Sequence, residues 1–536
     1  MLATIAIWSF LVLFVLNRVY RAGSRESGLP PGPPTLPVLG NTHQIPTKFA
    51  YLRFAEWCKQ YGGIFSLKLT SQTIIVISCP RLIHDFMDER GGSMVDRPPS
   101  RIAEMTTNGV HMALARSGPL WKSLRRTALL LLNREACLQH MPIQQAEATQ
   151  LMYDLLKQPE DFVEHIERAT ASIMLSTVFG VRTPRYSDSF ASRFSSVQHK
   201  WQALLEPGVH LPVDIFSALE YIPERWASWK TISRDVRQQQ RKLYYDLMND
   251  CERRIGENRR NGCFLEDVID QQGMLGLTTD MVAISRYLGG VCLEGGAGTA
   301  AISLQKFVLC ISRYPDVQAR AQKEIDDFIG FTRLPSIQDI EHLPYAQAVI
   351  KEVHRFYPIA PLAVPHFTTV DESIDGYFIP KGSVIFMNVY AVYHSEDSYE
   401  QPEVFMPERY LGSEFGTKPG ADTTGFRSDF HFGNGRRICP GIHLANNAII
   451  MNIMNLLWGF NFSIADKGSH DSPVPIQPED FTPGLTIRPK PFKCNIQPRS
   501  DKHAELIREA YAHARPTFSM FEQELTPSEQ KFVEDW

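Results

Sequence analysis

Ten residues, Phe432-Gly433-Asn434-Gly435-Arg436-Arg437-Ile438-Cys439-Pro440-Gly441, constrain this chain more than any other stretch. Two glycines before the cysteine and one after it let the backbone turn tightly and pass close to a flat ligand. Arg437 puts a permanent positive charge beside the sulfur, which favours thiolate over thiol. A helical pattern runs from about Ile442 to Trp458, so Cys439 stands just ahead of a helix N-terminus. Free backbone N–H groups there can bond the sulfur. This is the chemistry of a loop that presents a cysteine thiolate to a metal. The alternative is a buried free cysteine in a glycine-rich turn.

The rest of the chain reads as mainly helical with small peripheral β-sheets. Pro30-Pro31-Gly32-Pro33-Pro34 cannot be helix and forms a stiff, extended connector. Ile64–Leu69 and Thr73–Ser78 are β-rich runs around a polar turn, a hairpin pattern. Most of the span from Arg81 to Tyr314 reads as helices and loops. Within it, Thr278-Thr279-Asp280 offers N-caps for a long helix from Met281 to about Ile311. Pro315 and Pro344 each open a helix, the second closed by Pro358. Leu362–Val364, Ile374–Ile379 and Val384–Val389 are strand-like, with Pro380-Lys381-Gly382 as a turn. Residues 498–536 are polar with weak helical periodicity and read as a surface appendage prone to disorder.

With 536 residues the chain can bury a large core, and no linker or repeat divides it. A net charge of -4 with interspersed signs gives no nucleic-acid surface. The nine cysteines are odd in number, scattered and without a C-x-x-C pair. That argues against a disulfide framework and a zinc site, and fits a reducing compartment. Leu2 to Leu16 is apolar except for Thr4 and Ser9, and Arg18, Arg21 and Arg25 follow it. With Val19 and Tyr20 the run reaches the ~17 residues a membrane span needs at minimum. Basic residues after the run place the remainder in the cytosol. A cleaved signal peptide is the rival reading, but the basic segment it needs ahead of the apolar run is absent.

Glu352 and Arg355 are three apart in a helical pattern and face the same way. Such a pair usually lies on a solvated surface, but here Val349, Ile350, Val353 and Phe356 surround it. A buried carboxylate–guanidinium pair needs further hydrogen bonds, which Arg409 in Pro407-Glu408-Arg409-Tyr410 can supply.

In order, the proline connector, Trp121-x-x-x-Arg125, a long Gly-bearing helix, Glu352-x-x-Arg355, Pro407-Glu408-Arg409 and F-x-x-G-x-R-x-C-x-G resemble the cytochrome P450 family over roughly residues 30–497. The segment Tyr377–Gly382 is similar to fungal secondary-metabolism members of the O-methylsterigmatocystin oxidoreductase type. The resemblance implies the cytochrome P450 fold preceded by an N-terminal transmembrane helix. The divisions would be an anchor at 1–21, a hinge at 22–37, a haem domain at 38–497 and an extension at 498–536. It implies haem b with Cys439 as iron ligand, Phe432, Arg437 and Gly441 in the cofactor loop, and Trp121, Arg125 and His366 near the propionates. Glu352, Arg355 and Arg409 would lock the region behind the haem. The pocket would be lined by Met94–Ser117, Leu204–Ile215, the helix face before Gly298, Ile359–Val364 and Thr482–Leu485. The implied partners are O2, an NADPH-cytochrome P450 reductase, a lipophilic small molecule and the endoplasmic reticulum membrane, with the catalytic part cytosolic.

The long helix carries Glu294-Gly295-Gly296-Ala297-Gly298-Thr299-Ala300. Relatives of this type show an acid where Gly298 stands and a hydroxyl residue where Ala300 stands. Thr299 matches their oxygen-side alcohol. The glycines suggest a bulge that opens a groove, and Glu294 is the nearest acid that can relay protons. Gly298 also leaves open a substrate-assisted route, space for a bulky substrate, or a rearrangement, ring formation or other oxidation without hydroxylation. A non-catalytic haem-binding sensor or carrier is the remaining alternative.

Overall fold

The computed structural model describes residues 22–206, 209–210, 212–214, 216–271, 279–465 and 475–536, with scattered positions among the first 17. Helix α1 (Ala50–Tyr61) leads into a hairpin of β1 (Ile64–Leu69) and β2 (Gln72–Ile77). The chain turns at Thr70, in the left-handed region at φ 54°, and Leu69 pairs with Gln72. A helical body follows: α2 (Pro119–Leu132), α3 (Met141–Lys157), α4 (Phe162–Phe179), α5 (Phe190–Leu205), α6 (Ser228–Gly256), α7 (Thr279–Arg313), α8 (Pro315–Phe328) and α9 (Pro344–Arg355). Proline occupies the first turn of α2, α8 and α9, where its missing N–H costs nothing.

Next come β3 (His366–Phe367), β4 (Glu372–Ile374), β5 (Tyr377–Ile379) and β6 (Val384–Met387). The main sheet has the order β1-β2-β6-β3, with β6 parallel to β2. The chain closes with α10 (Ile442–Gly459), β7 (Phe460–Ile464), β8 (Cys494–Pro498), α11 (Asp501–Ser519) and α12 (Pro527–Asp535). Helix α7 runs through the middle of the body. Phe307, Val308 and Ile311 from α7 join Ile453, Leu456 and Trp458 from α10 in the largest hydrophobic cluster. Leu288 and Leu293 join Leu175, Val178, Tyr244 and Leu247 in a second.

The helical body with small sheets is the expected class, and the hairpin, α7, α8, α9 and α10 stand where the pattern places them. Thr278, one of the proposed caps, lies outside the described residues. Three strand expectations shift. Leu362–Val364 is not a strand, because Ala363 sits at φ 52° and pairing starts only at His366. Ile374–Ile379 is a tight hairpin, turning at Asp375-Gly376, both at positive φ. The third run stops pairing at Met387, where the Asn388 side chain caps a short helix, Val389–Tyr393, by accepting from Ala391 N.

The proline connector docks on β1: Ser66 N donates to Pro31 O at 2.8 Å, and the Arg25 guanidinium donates to Gly32 O and Pro33 O. The expected anchor, residues 1–21, lies largely outside the described residues. Among the described residues no helix is long and apolar enough to cross a membrane.

The C-terminal segment departs most from expectation. It forms α11 and α12 and packs against α3. Tyr511 stacks on Tyr153 with ring centroids 4.1 Å apart. Trp536 Nε1 donates to Asp154 at 3.1 Å, and Arg182 Nη1 to Glu522 at 2.6 Å. Phe518 is fully buried, with the Arg182 guanidinium 3.8 Å from its ring centre. A sparse stripe of Ala504, Ile507, Tyr511 and Phe518 supplies the docking face, which the polar composition masked.

Candidate active site

The loop before α10 is held from both sides. Cys439 N donates to Phe432 O at 2.8 Å, closing the loop on itself. Gly435 has φ 65°, and a Cβ there would lie 2.1 Å from Met87 O, so no other residue fits. The Asp88 carboxylate accepts from Gly435 N at 2.6 Å and from Asn434 Nδ2 at 3.2 Å. Burial raises the Cys439 thiol above its ordinary value, opposed by the backbone N–H of Gly441 and the charge of Arg125. The cation acting on the sulfur is therefore Arg125, not Arg437 as the sequence suggested. The Arg437 guanidinium turns the other way. It donates to Val95 O at 2.7 Å, Ala115 O at 2.8 Å and Met112 O at 3.3 Å, and stands 4.0 Å from the Trp121 ring centre.

A third arginine, Arg97, joins them. It donates to Ala113 O at 3.0 Å and to Val364 O and Pro365 O at 2.8 Å. Burial, with Arg437 and Arg125 adding, pushes Arg97 down to about 9; burial takes Arg437 to about 10. Arg125 donates to Ile438 O at 2.6 Å. The nearby Asp96 carboxylate is taken by Arg116 Nε at 2.8 Å and Ser117 N at 2.7 Å. Three guanidiniums thus line one cavity with only backbone carbonyls for partners, an arrangement suited to an anionic group. His366 shares this wall. Its Nδ1 bonds Met94 O at 2.8 Å, and burial pushes its pKa to about 3, so the neutral ring offers an acceptor at Nε2.

On α7, Thr299 Oγ1 donates to Gly295 O at 2.7 Å. The helix is continuous through Gly295 and Gly296, without the expected bulge. Small residues open the space instead: a Cβ at Gly295 or Gly298 would meet nothing within 4 Å, whereas one at Gly296 would strike Met174. The Glu294 carboxylate is buried and fully engaged, by His111 Nε2 at 3.2 Å, Gln240 Nε2 at 3.2 Å and the Tyr244 hydroxyl.

Behind the loop, Arg355 donates to both oxygens of Glu352, at 2.7 and 2.9 Å, and to Tyr393 O and Pro402 O. Arg409 Nε and Met406 N both donate to Glu352 Oε1, at 3.3 and 2.8 Å. Glu352 and Arg355 are both 0% exposed, so the pair is an interior brace. Breaking such a pair costs about 3–5 kcal/mol, because the remaining charge stays buried. Sequence reasoning missed His354 and His431, whose rings stack 4.1 Å apart in the cavity wall.

These walls enclose about 1060 Å³. The expected segments contribute Met112 and Leu114, Leu205, Ile359 and Val364, and Thr482 and Leu485; α4 adds Ile173 and Met174, which were not expected. A thiol on one wall, a row of cations at one edge, apolar faces and a groove along α7 fit a haem with its two carboxylates.

The family model for cytochrome P450 matches residues 30–496. A cytochrome P450 monooxygenase of Armillaria gallica is 43% identical over 96% of this chain and 98% of its own length. The cytochrome P450 monooxygenase patI of Penicillium expansum is 36% identical over 97% and 98%, and atE of Aspergillus terreus 34% over 96% of each.

Proposed function

From the premise that the chain belongs to the cytochrome P450 family, we propose that it oxidises a lipophilic small molecule of fungal secondary metabolism, a polyketide, terpenoid or indole alkaloid. Its electrons come from an NADPH-cytochrome P450 reductase, and an N-terminal anchor in residues 1–21 tethers it to the endoplasmic reticulum. The chain is a monooxygenase with a haem-thiolate cofactor, which sets aside a non-catalytic carrier. The observation that carries the reading is Cys439 facing one cavity together with Arg97, Arg125 and Arg437.

Cys439 would hold the iron, with Arg125 and the Gly441 N–H tempering the charge on its sulfur. Arg97, Arg125 and Arg437, with Trp121, would hold the carboxylates. The haem, when bound, supplies the oxidation of substrate by dioxygen. Phe432 and Gly441 shape the loop, and the apolar walls orient substrate and limit water. Glu294 is the acid we assign to proton delivery toward Thr299, in place of the acid absent at Gly298, and to act it must release one of the donors that hold it, His111, Gln240 or Tyr244. Turnover with reductase, NADPH and isotopically labelled dioxygen tests this. One labelled oxygen atom should enter the product, and Glu294→Gln should lower product formed per NADPH severalfold. Product without label favours the second reading, a rearrangement or ring-forming oxidation, which the bare Gly298 supports. No NADPH consumption beyond that of the reductase alone would refute hydroxylation and ring-forming oxidation and leave only a redox-neutral rearrangement.

A further inference from the structure

Three buried side chains outside the haem cavity meet where α6 ends. Cys251 lies within two turns of the end of α6, and Cys263 and Glu266 lie at the start of the short helix Phe264–Asp270. Both cysteines are free, and their sulfurs are 3.8 Å apart. A Glu266 oxygen completes a triangle in which every ligand atom lies within 4.8 Å of the others. All three residues are buried. Glu266 is oriented from behind: Oε1 accepts from Asn261 N at 3.2 Å and Oε2 from Gly262 N at 2.9 Å. Arg254 stands one turn beyond Cys251 on the same helix and is fully buried. Its Nη2 donates to Phe179 O, while Nε and Nη1 have no partner. A guanidinium buried in this way calls for negative charge nearby.

We propose that Cys251, Cys263 and Glu266 form a structural zinc site, with a water as the fourth ligand. Thiolate and carboxylate are both groups that zinc takes. Two sulfurs about 2.3 Å from one tetrahedral zinc lie about 3.8 Å from each other, which matches the separation of this pair. The Glu266 oxygen has to close by at most about 1.3 Å to reach its usual zinc distance. Calcium and magnesium take oxygen ligands, so the paired sulfurs select zinc. Binding replaces both thiol protons, which leave to solvent. Zinc with two thiolates and a carboxylate keeps one negative charge, and Arg254 offsets it. No C-x-x-C pair marks the site, because eleven residues part the two cysteines. The turn through residues 257–262 brings them together, and that turn also receives the chain after α11. Asn261 Nδ2 donates to Met520 O at 3.1 Å, and Arg259 Nη1 to Gln523 at 3.0 Å. Bound zinc therefore pins the loop on which the C-terminal segment rests.

The test uses the full, haem-loaded chain without a histidine tag, and zinc ion as the probe. The carbon-monoxide spectrum of the same sample shows that Cys439 is held by haem and is not the zinc ligand. The chain is stripped with a chelator, given zinc, dialysed and assayed for metal by mass spectrometry. About one zinc per chain should remain. X-ray absorption at the zinc edge, which the haem iron does not obscure, should show two sulfurs at about 2.3 Å and oxygens at about 2.0–2.2 Å. Cys251→Ser and Cys263→Ser should each weaken zinc binding by more than about a hundredfold, since losing an outer partner of a ligand alone costs about 10–100-fold. Glu266→Gln should weaken it about tenfold or more. Retention well below one zinc overturns the proposal, and so does a zinc edge without sulfur. Zinc held undiminished by Cys251→Ser overturns it as well, as does a disulfide joining Cys251 to Cys263 in the chain isolated without oxidant. Should the serine variants fail to fold, the zinc edge of the unsubstituted chain decides alone.

Discussion

At the scale of single residues, Cys439 carries the clearest expectation. The reduced, carbon-monoxide-bound protein should show the red-shifted Soret band of thiolate ligation, and Cys439→Ala should abolish it; a variant that kept the band would place the ligand elsewhere. A second expectation concerns His431, which burial holds at about 3, and His354, held well below the ordinary 6.5. Both folded-state values are depressed, so the unfolded chain binds more protons between about 3 and 6.5. The stability these rings contribute is complete above pH 6.5 and is lost as pH falls toward 3. Each contributes a slope of at most about 1.4 kcal/mol per pH unit. Thermal unfolding from pH 7.5 down to 5 should therefore show a falling midpoint, with a shallower fall in His431→Phe. An unchanged slope would place His431 in a hydrated setting. Cys439 and the Glu352–Arg355 pair were legible because each sits in a local pattern of spacing. Arg97 was not. The Val364 and Pro365 carbonyls that hold it are 267 and 268 residues away, and no spacing rule links them. Arg437 was found but given the wrong partner, because closeness along the chain says little about side-chain direction across a 3₁₀ turn.

At the scale of elements, proline and hydrophobic period marked the starts of α8 and α9 and the length of α10. They failed at Ala363 and at Asp375-Gly376, where a positive φ redirects a run that composition alone would extend. They failed more widely at α11 and α12, where burial rests on a few apolar positions and on ion pairs with distant residues. Those pairs lead to a measurable outcome. Deleting residues 500–536 removes Glu522 from the buried Arg182, and Trp536 and Tyr511 from Asp154 and Tyr153. Arg182 keeps Glu147 at 2.9 Å, so losing Glu522 costs a charged hydrogen bond, roughly 1.5–3 kcal/mol. The truncated chain should melt several degrees lower and load less haem. An unaltered melting temperature would make the segment a passive appendage.

Across the whole molecule, fold class and cofactor were readable because six motifs occur in one order. The cavity wall was less so, since α4 joins it only after the body has packed. The proposed tether gives a last expectation. Removing residues 1–21 should shift the protein from the membrane fraction toward the soluble one while the carbon-monoxide spectrum stays intact. Retention of the full membrane-bound share would assign attachment to another surface.

The seating of α11 and α12 on α3 also has a temporal side. Asp154 and the indole of Trp536 that bonds it are separated by 382 residues. Synthesis at about 5–20 residues per second leaves that carboxylate waiting roughly twenty seconds to over a minute for its partner. Throughout that interval Glu147, Asp154, Arg168 and Arg182, on α3, α4 and the segment after α4, can pair only with one another, and Arg182 waits for Glu522. Chaperones would meet the first half of this protein as a client whose missing piece has still to leave the ribosome.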